Sequence, residues 1–406
     1  MSSQTADEKK AGSLQSPSDV EVDSGSQTGT QDEAAIAPGP VTQVDNGPRM
    51  LLKDQTQSNI AWIGSIQAFL LIVIGVFSGP LFDMGYFEHL IIGGSFLVVF
   101  GTMMTSLSTQ YWQVMLAQGI TMGLGVGCLF TPSVAIVSTY FTTKKALATG
   151  IAATGSSIGG VIYTVAFARL QPTIGFPWAT RVLGFLSLAG LLVSISVMRV
   201  RTKPAAKRKM FAFNAFKEFT FTFFTISQFF GILGIWVPFF FIQTYAIEHG
   251  IDSSFAFYLL TILNAGSVFG RVVPNYFADK IGPLNIMIIA CFVSSLLSFC
   301  WIAVNSKAGI IVFCILYGFF SGSFVSLPAP TIASLSPNMS VVGARMGTSF
   351  AVAGFGILLG SPIGGVILRS SGWVGLQCWG AATIALSTIL AIMARIHRQP
   401  KLLGKV

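Results

Sequence analysis

Tyr111–Gly160 reads YWQVMLAQGITMGLGVGCLFTPSVAIVSTYFTTKKALATGIAATGSSIGG. From Tyr111 to Phe141 it holds no charged residue, and after Thr142-Thr-Lys-Lys the apolar sequence resumes. A helix needs about 20 apolar residues to cross a hydrocarbon core of about 30 Å. The stretch therefore reads as two membrane spans parted by a basic turn. The pattern continues on both sides. Spans are expected near 60–82, 88–107, 113–138, 146–168, 178–198, 219–245, 255–277, 284–304, 308–334, 343–368 and 373–394, which makes eleven. Lipid leaves backbone polar groups no outside partner, so the spans must be helices; a β-barrel would need alternating strands of about ten residues. The expected fold class is all-α integral membrane.

Composition agrees. Of 406 residues, 10% are charged and 52% apolar, and mean hydropathy is +0.72. A soluble domain carries about 25% charged residues, enough to keep its surface wetted. Charge is also unevenly placed. Residues 1–54 hold nine of the fifteen acids and carry a net −5, against +14 for the rest. That tail is rich in Ser, Gly, Gln, Asp and Pro and has too few large apolar residues to fold. It lacks the basic and apolar regions of a signal peptide. The basic remainder does not imply a nucleic-acid partner; loops facing anionic lipid on the cytoplasmic side account for it.

Orientation follows from Lys and Arg. One set of alternate loops holds Lys144, Lys145, the run from Arg199 to Lys217, Lys280, Arg345 and the C-terminal Arg395, Arg398, Lys401 and Lys405. The other set holds only Arg169, Arg181, Lys307 and Arg369. The first set, with the C-terminus, is expected in the cytoplasm. Eleven spans then put the acidic N-terminal tail outside. The division expected is a tail at 1–54, a bundle of five spans at 55–198, a basic linker at 199–218, a bundle of six spans at 219–395 and a tail at 396–406.

The two parts resemble each other weakly. Gly79-Pro-Leu-Phe-Asp83 follows the first span, and Arg271-Val-Val-Pro-Asn-Tyr-Phe-Ala-Asp279-Lys280-Ile-Gly282 follows the seventh. Ala148-Thr-Gly150 running to Gly155-Ser-Ser-Ile-Gly159-Gly160 matches Arg345-Met-Gly347 running to Gly360-Ser-Pro-Ile-Gly364-Gly365. Two parallel repeats joined by a cytoplasmic linker are the logic of one large class of secondary carriers.

Few residues in the spans could carry chemistry. Arg271 follows an uncharged run from Phe255 to Gly270. A charge inside a span costs about 2.5–3.5 kcal/mol on insertion scales and is a functional candidate by default. It could hold a substrate carboxylate with its planar fork. It could equally pair with Asp279, or snorkel to the interface. Asn264 lies two turns earlier on the same helical face, and Gln67, Gln118, Gln228 and Gln243 are further span amides; each suits a substrate contact or a bond between helices. The five cysteines lie in apolar stretches without metal-ligand spacing, and only three His exist. The glycine runs 119–127 and 150–160 suit close helix contact; no strand precedes them, so a nucleotide loop is a poor reading. No cofactor is expected. The aromatic run Phe211 to Phe241 reads as lipid-facing and interface-anchoring sequence. Asn338-Met-Ser340 fits a glycosylation sequon but falls in a loop expected to be cytoplasmic. An intramembrane enzyme would need paired acids, a metal cluster or a Ser/His pair within spans, and none is found.

Gly79–Asp83 and Gly270–Gly282 resemble the two copies of the loop signature of major facilitator carriers. IAWIGSIQAFLL from Ile60, GVFSGPLFDMGYF from Gly75 and the opening block from Tyr111 resemble fungal members of the monocarboxylate-porter family. The resemblance covers about residues 59–395. It implies a major facilitator fold of two bundles and transport of a small organic anion or metabolite (monocarboxylate-like, riboflavin-like or a secondary metabolite) by alternating access. It supports a substrate role for Arg271. Asp83 and Asp279 are acids at helix ends, expected to hold the cytoplasmic side closed through Arg contacts and helix N-termini or else to be solvated turn acids; with Gly79, Gly270 and Gly282 of the same loops they make the expected gate. The setting would be the plasma membrane, with lipid and a small-molecule substrate as partners. A coupling proton is a further expected partner, although Ser267 stands where animal proton-coupled members have an acid. The loop at Asp83 has Met84 and Tyr86 in place of basic residues, and the first family span is not seen before Ile60. The absent span leads to an expectation of a cavity open on one side and of reduced transport. A truncated inactive carrier and a non-transporting membrane sensor are the alternatives; a sensor would be expected to carry a long cytoplasmic extension.

Overall fold

The computed structural model describes residues 57–141, 144–200, 213–337 and 341–398. The N-terminal tail, linker residues 201–212, the sequon and residues 399–406 lie outside these. Helices follow in the order α1 (Gln57–Val73), α2 (Gly75–Asp83), α3 (Phe87–Leu107), α4 (Tyr111–Val114), α5 (Gly123–Tyr140), α6 (Lys145–Val197), α7 (Phe219–Ile235), α8 (Val237–Glu248), α9 (Ser253–Ile281), α10 (Pro283–Cys300), α11 (Lys307–Ser326), α12 (Pro328–Leu335) and α13 (Val342–Arg398). A π-helical segment, Met115–Met122, joins α4 to α5. No strand occurs among the described residues.

Nine helical stretches among the described residues are long and apolar enough to cross a bilayer. Two of them, α6 and α13, have 53 and 57 residues. Drawn straight at 1.5 Å per residue, each would run about 80 Å, well over twice a bilayer core. Each instead bends at one glycine, Gly175 (φ 75°) and Gly372 (φ 65°). Positive φ is a region that a side chain resists and glycine enters freely. Nine stretches, two of them doubled, provide eleven membrane-length arms. The sequence suggested loops of several residues at these two bends; helical geometry instead continues to the bending glycine on both sides.

The bends also set the internal repeat. Gly150 and Gly347, Gly159 and Gly356, and Gly175 and Gly372 are each 197 residues apart. The structural partner of Gly159 is therefore Gly356, not the Gly364 that the local match suggested. The second half packs around α7, whose Phe221 and Phe224 are buried, with Phe240 and Phe241 of α8 buried nearby. The lipid-facing reading of that aromatic run is thus corrected. α7 lies against both arms of α13, so Phe221 and Phe224 fill helix seams, while Phe219 of the same helix stays exposed. Arg345, expected in a solvated loop, is 4% exposed and is paired with Glu218. Pairing with an acid offsets the cost of burying this charge.

Candidate functional site

The ends of α2, α6, α9 and α13 that carry Lys144, Lys145, Lys280 and Arg345 form a basic end, where the two halves meet in two seams. In one, Asp279 near the end of α9 reaches the start of α6. Its Oδ1 accepts from Ala146 N and its Oδ2 from Leu147 N, both at 2.9 Å. Those amides are donors that no residue of α6 can satisfy, and the helix dipole adds to the attraction. Hydrogen bonds to a charged group contribute about 1.5–3 kcal/mol each. One turn into α6, a side chain on Gly150 would fall on the carbonyl of Arg271 and 2.8 Å from Asn275. Asn275 Nδ2 in turn donates to Arg271 O at 2.7 Å. The other seam joins α2 to α13. A Cβ on Gly79 would sit 3.2 Å from Gly343 O, and one on Gly347 3.0 Å from Gly75 O.

Arg271 lies in the first seam. Its Nη1 donates to Ala153 O at 2.6 Å and to Ser156 Oγ, both on α6, and its Nε donates to Ser267 Oγ at 3.2 Å. Ser157 Oγ donates to the same Ser267 Oγ at 3.1 Å. The guanidinium is thus spread over neutral acceptors and ties α9 to α6. Ser267, conspicuous in the sequence as a departure, is part of this tie.

Farther from the basic end, the halves enclose a cavity of about 420 Å³. Gln67 of α1 and Gln118 of the π-helical segment line it, with Thr102, Tyr163, Thr164 and Ser187. From the second half come Trp236, Phe240, Phe257 and Ile357. Along α6, Phe167 of the cavity is about 25 Å from Gly150 of the seam. π-helical turns recur at functional sites, and the wide turn at Gln118 forms part of this wall.

The structure brings together only some of the residues singled out from sequence. Gln67 and Gln118 line the cavity; Arg271 and Asn264 are not among its lining residues. Asn264 donates to Leu260 O and faces Gly160, one layer behind the wall. Gly79 and Asp279 lie in the seams, whereas the side chain of Asp83 lies outside the described residues. Gly270 belongs elsewhere: a Cβ there would strike the carbonyl of Phe319 on α11, so it serves packing within the second half. Gly282, at φ 110°, turns the chain between α9 and α10. Sequence reasoning missed Trp236, Phe240, Tyr163 and Ser187. Nothing in one sequence distinguishes an aromatic residue on a cavity from one in a seam.

Two pseudo-equivalent helical halves that meet at one end and part around a cavity define a multi-pass membrane carrier. The chain belongs to the Major Facilitator Superfamily, whose model matches residues 47–339 and again 224–405. The "MFS-type transporter dbaD" of Emericella nidulans is 41% identical over 347 residues, covering 84% of this chain and 78% of the relative. The "Aspyridones efflux protein apdF" of the same organism is 39% identical over 348 residues, covering 85% and 71%. Among solved structures, the Escherichia coli fucose:proton symporter FucP is similar with a TM-score of 0.65 at 17% identity, covering 87% of this chain and 96% of that one. The human organic anion transporter MFSD10 gives 0.63 at 13% identity, covering 86% and 89%. At these identities the structures bear on fold alone. Fold and family are those of transporters, not of enzymes.

Proposed function

We propose that this chain exports an organic secondary metabolite across the plasma membrane by alternating access. The observation that carries the reading is a cavity between the halves, sealed at the basic end by the Asp279 and Arg271 contacts. With that end in the cytoplasm, as the positive-inside rule places it, the described state faces outward. Release of the two seams would expose the cavity to the other side. In this scheme Asp279, Arg271, Gly79, Gly150 and Gly347 form the gate. Gln67 and Gln118 contact substrate, and Arg271 is a latch rather than an anion anchor. A relative named for efflux of aspyridones supports export of a metabolite. A monocarboxylate would find no cation among the lining residues, which counts against the small-anion reading despite the sequence resemblance. Proton coupling, if present, would have to use a group outside the cavity wall, which holds no titratable acid among its lining residues.

Efflux from whole cells expressing the chain, against a panel of labelled organic acids, flavins and neutral aromatic metabolites, tests the reading. The expected result is several-fold lower retention of a neutral aromatic compound. Equal retention of every compound by expressing and control cells would overturn the export reading.

A further inference from the structure

The cavity has two chemically different walls. The second half contributes aromatic and aliphatic side chains, Trp236, Phe240, Phe257 and Ile357, whose one polar group is the indole N–H of Trp236. Trp236 and Phe240 are four residues apart, so they stand one above the other on one helical face. The hydroxyls and amides all come from the first half, and the hydroxyls are already engaged. Thr102 Oγ1 donates to Val98 O at 2.8 Å, Tyr163 Oη and Ser187 Oγ share a bond of 2.8 Å, and Thr164 Oγ1 donates to Gly160 O. Gln67 and Gln118 differ: neither amide has a hydrogen-bond partner among the described residues. Each offers a carbonyl acceptor and an NH₂ donor. No charged side chain is among the lining residues. Arg271 lies fourteen residues along α9 from Phe257, about 20 Å away along the helix.

Resting on the carrier reading above, we infer that the cavity takes an uncharged amphipathic molecule. It would lay a flat aromatic face on Trp236 and Phe240 and turn one hydrogen-bonding edge to Gln67 and Gln118. Three constraints point the same way. A carboxylate entering this wall would lose its water without gaining a cation, a heavy desolvation penalty. A purely apolar ligand would leave two amides unpaired. A volume of about 420 Å³ suits a drug-sized molecule rather than a two- or three-carbon acid.

The test uses the full chain, purified in lipid nanodiscs, and two fluorescent probes on one aromatic skeleton. Phenyl-naphthylamine is uncharged and carries one N–H donor; anilinonaphthalene sulfonate adds a fixed negative charge. Saturable binding of the neutral probe is expected, with energy transfer from Trp236 and an affinity at least about tenfold above that of the sulfonate. Replacing both amides, Gln67→Leu with Gln118→Leu, should weaken the neutral probe about tenfold by removing its acceptor. Equal or tighter binding of the sulfonate overturns the inference, as does unchanged affinity in a folded double variant. Should the double variant not fold, Trp236→Ala decides through the probe's own fluorescence: affinity for the neutral probe must fall about tenfold, and unchanged affinity places the probe elsewhere. Failure of the carrier reading looks different. Specific binding of the neutral probe by a chain that moves no compound leaves the inference standing and removes the transport. Movement of small carboxylates without neutral-probe binding does the reverse.

Discussion

The first arms of α6 and α13 begin alike and then diverge. Near the basic end both cross to the opposite half through a glycine, Gly150 onto Arg271 and Gly347 onto Gly75. Nine residues later the likeness ends. A Cβ on Gly356 would lie 2.7 Å from Phe229 O of α7, whereas one on its counterpart Gly159 meets nothing within 4 Å and instead faces the cavity. The second arms diverge in the same way. Ser387 is fully buried and exchanges bonds with Ser227 of α7, at 2.8 and 2.7 Å. Its counterpart Gly190 stands in open space. Among the described residues the first half has no helix in the place of α7. A glycine at a given repeat position is therefore a seam or a cavity wall depending on what lies opposite.

Substitution at the diverging pair should have the largest effect. Gly356→Leu drives a side chain into a helix backbone that cannot yield, which costs about 3 kcal/mol or more. We expect loss of folded, monodisperse protein on size-exclusion chromatography. Gly159→Leu should leave yield and thermal stability near wild type while narrowing the cavity. Equal damage from both would show that an unseen neighbour covers Gly159, and the comparison would collapse.

A middle-sized effect is expected where the arms agree. Asp279→Asn keeps one acceptor but turns an NH₂ toward an amide donor of α6, a loss of about 2 kcal/mol from the closed state. The seam should open more often, read as several-fold faster thiol labelling of the buried Thr149→Cys from the basic side in the Asp279→Asn background. Unchanged labelling would mean that the glycine contacts alone hold the halves together.

The smallest effect is expected from Arg271→Lys. Lysine keeps the charge and one or two bonds but loses the fork that reaches Ala153, Ser156 and Ser267 together. Labelling at the seam should rise modestly, with probe affinity at the cavity unchanged. A large fall in affinity with an intact seam would restore Arg271 as a substrate anchor.

Much of this was legible in sequence because the bilayer imposes it. Lys145 begins an arm and Gly282 ends a loop for reasons of charge and turn chemistry that act locally. The contact of Asp279 with a helix start could be anticipated because an acid at a span end must find donors, and the start of a helix has them to spare. The role of Arg271 was less legible. A charge late in a span signals function, but the sequence does not say whether its partners are a ligand or a neighbouring helix. Phe221 and Phe241 misled, since an aromatic residue is as welcome in a seam as in lipid.

Sequence alone decides that this chain crosses a membrane many times, that all its spans are helical, and that it carries an internal repeat. The first two follow from the cost of unpaired backbone and bare charge in hydrocarbon, which depends on residue type and run length; the repeat follows from matched residues in the two halves. Tertiary structure alone decides which repeat positions correspond, which glycines are contacts, and that Gln67 and Gln118 share a cavity while Arg271 does not. Those outcomes depend on what faces each residue across a helix seam. In lipid every apolar face is equally acceptable, so only close packing between particular helices can choose among them.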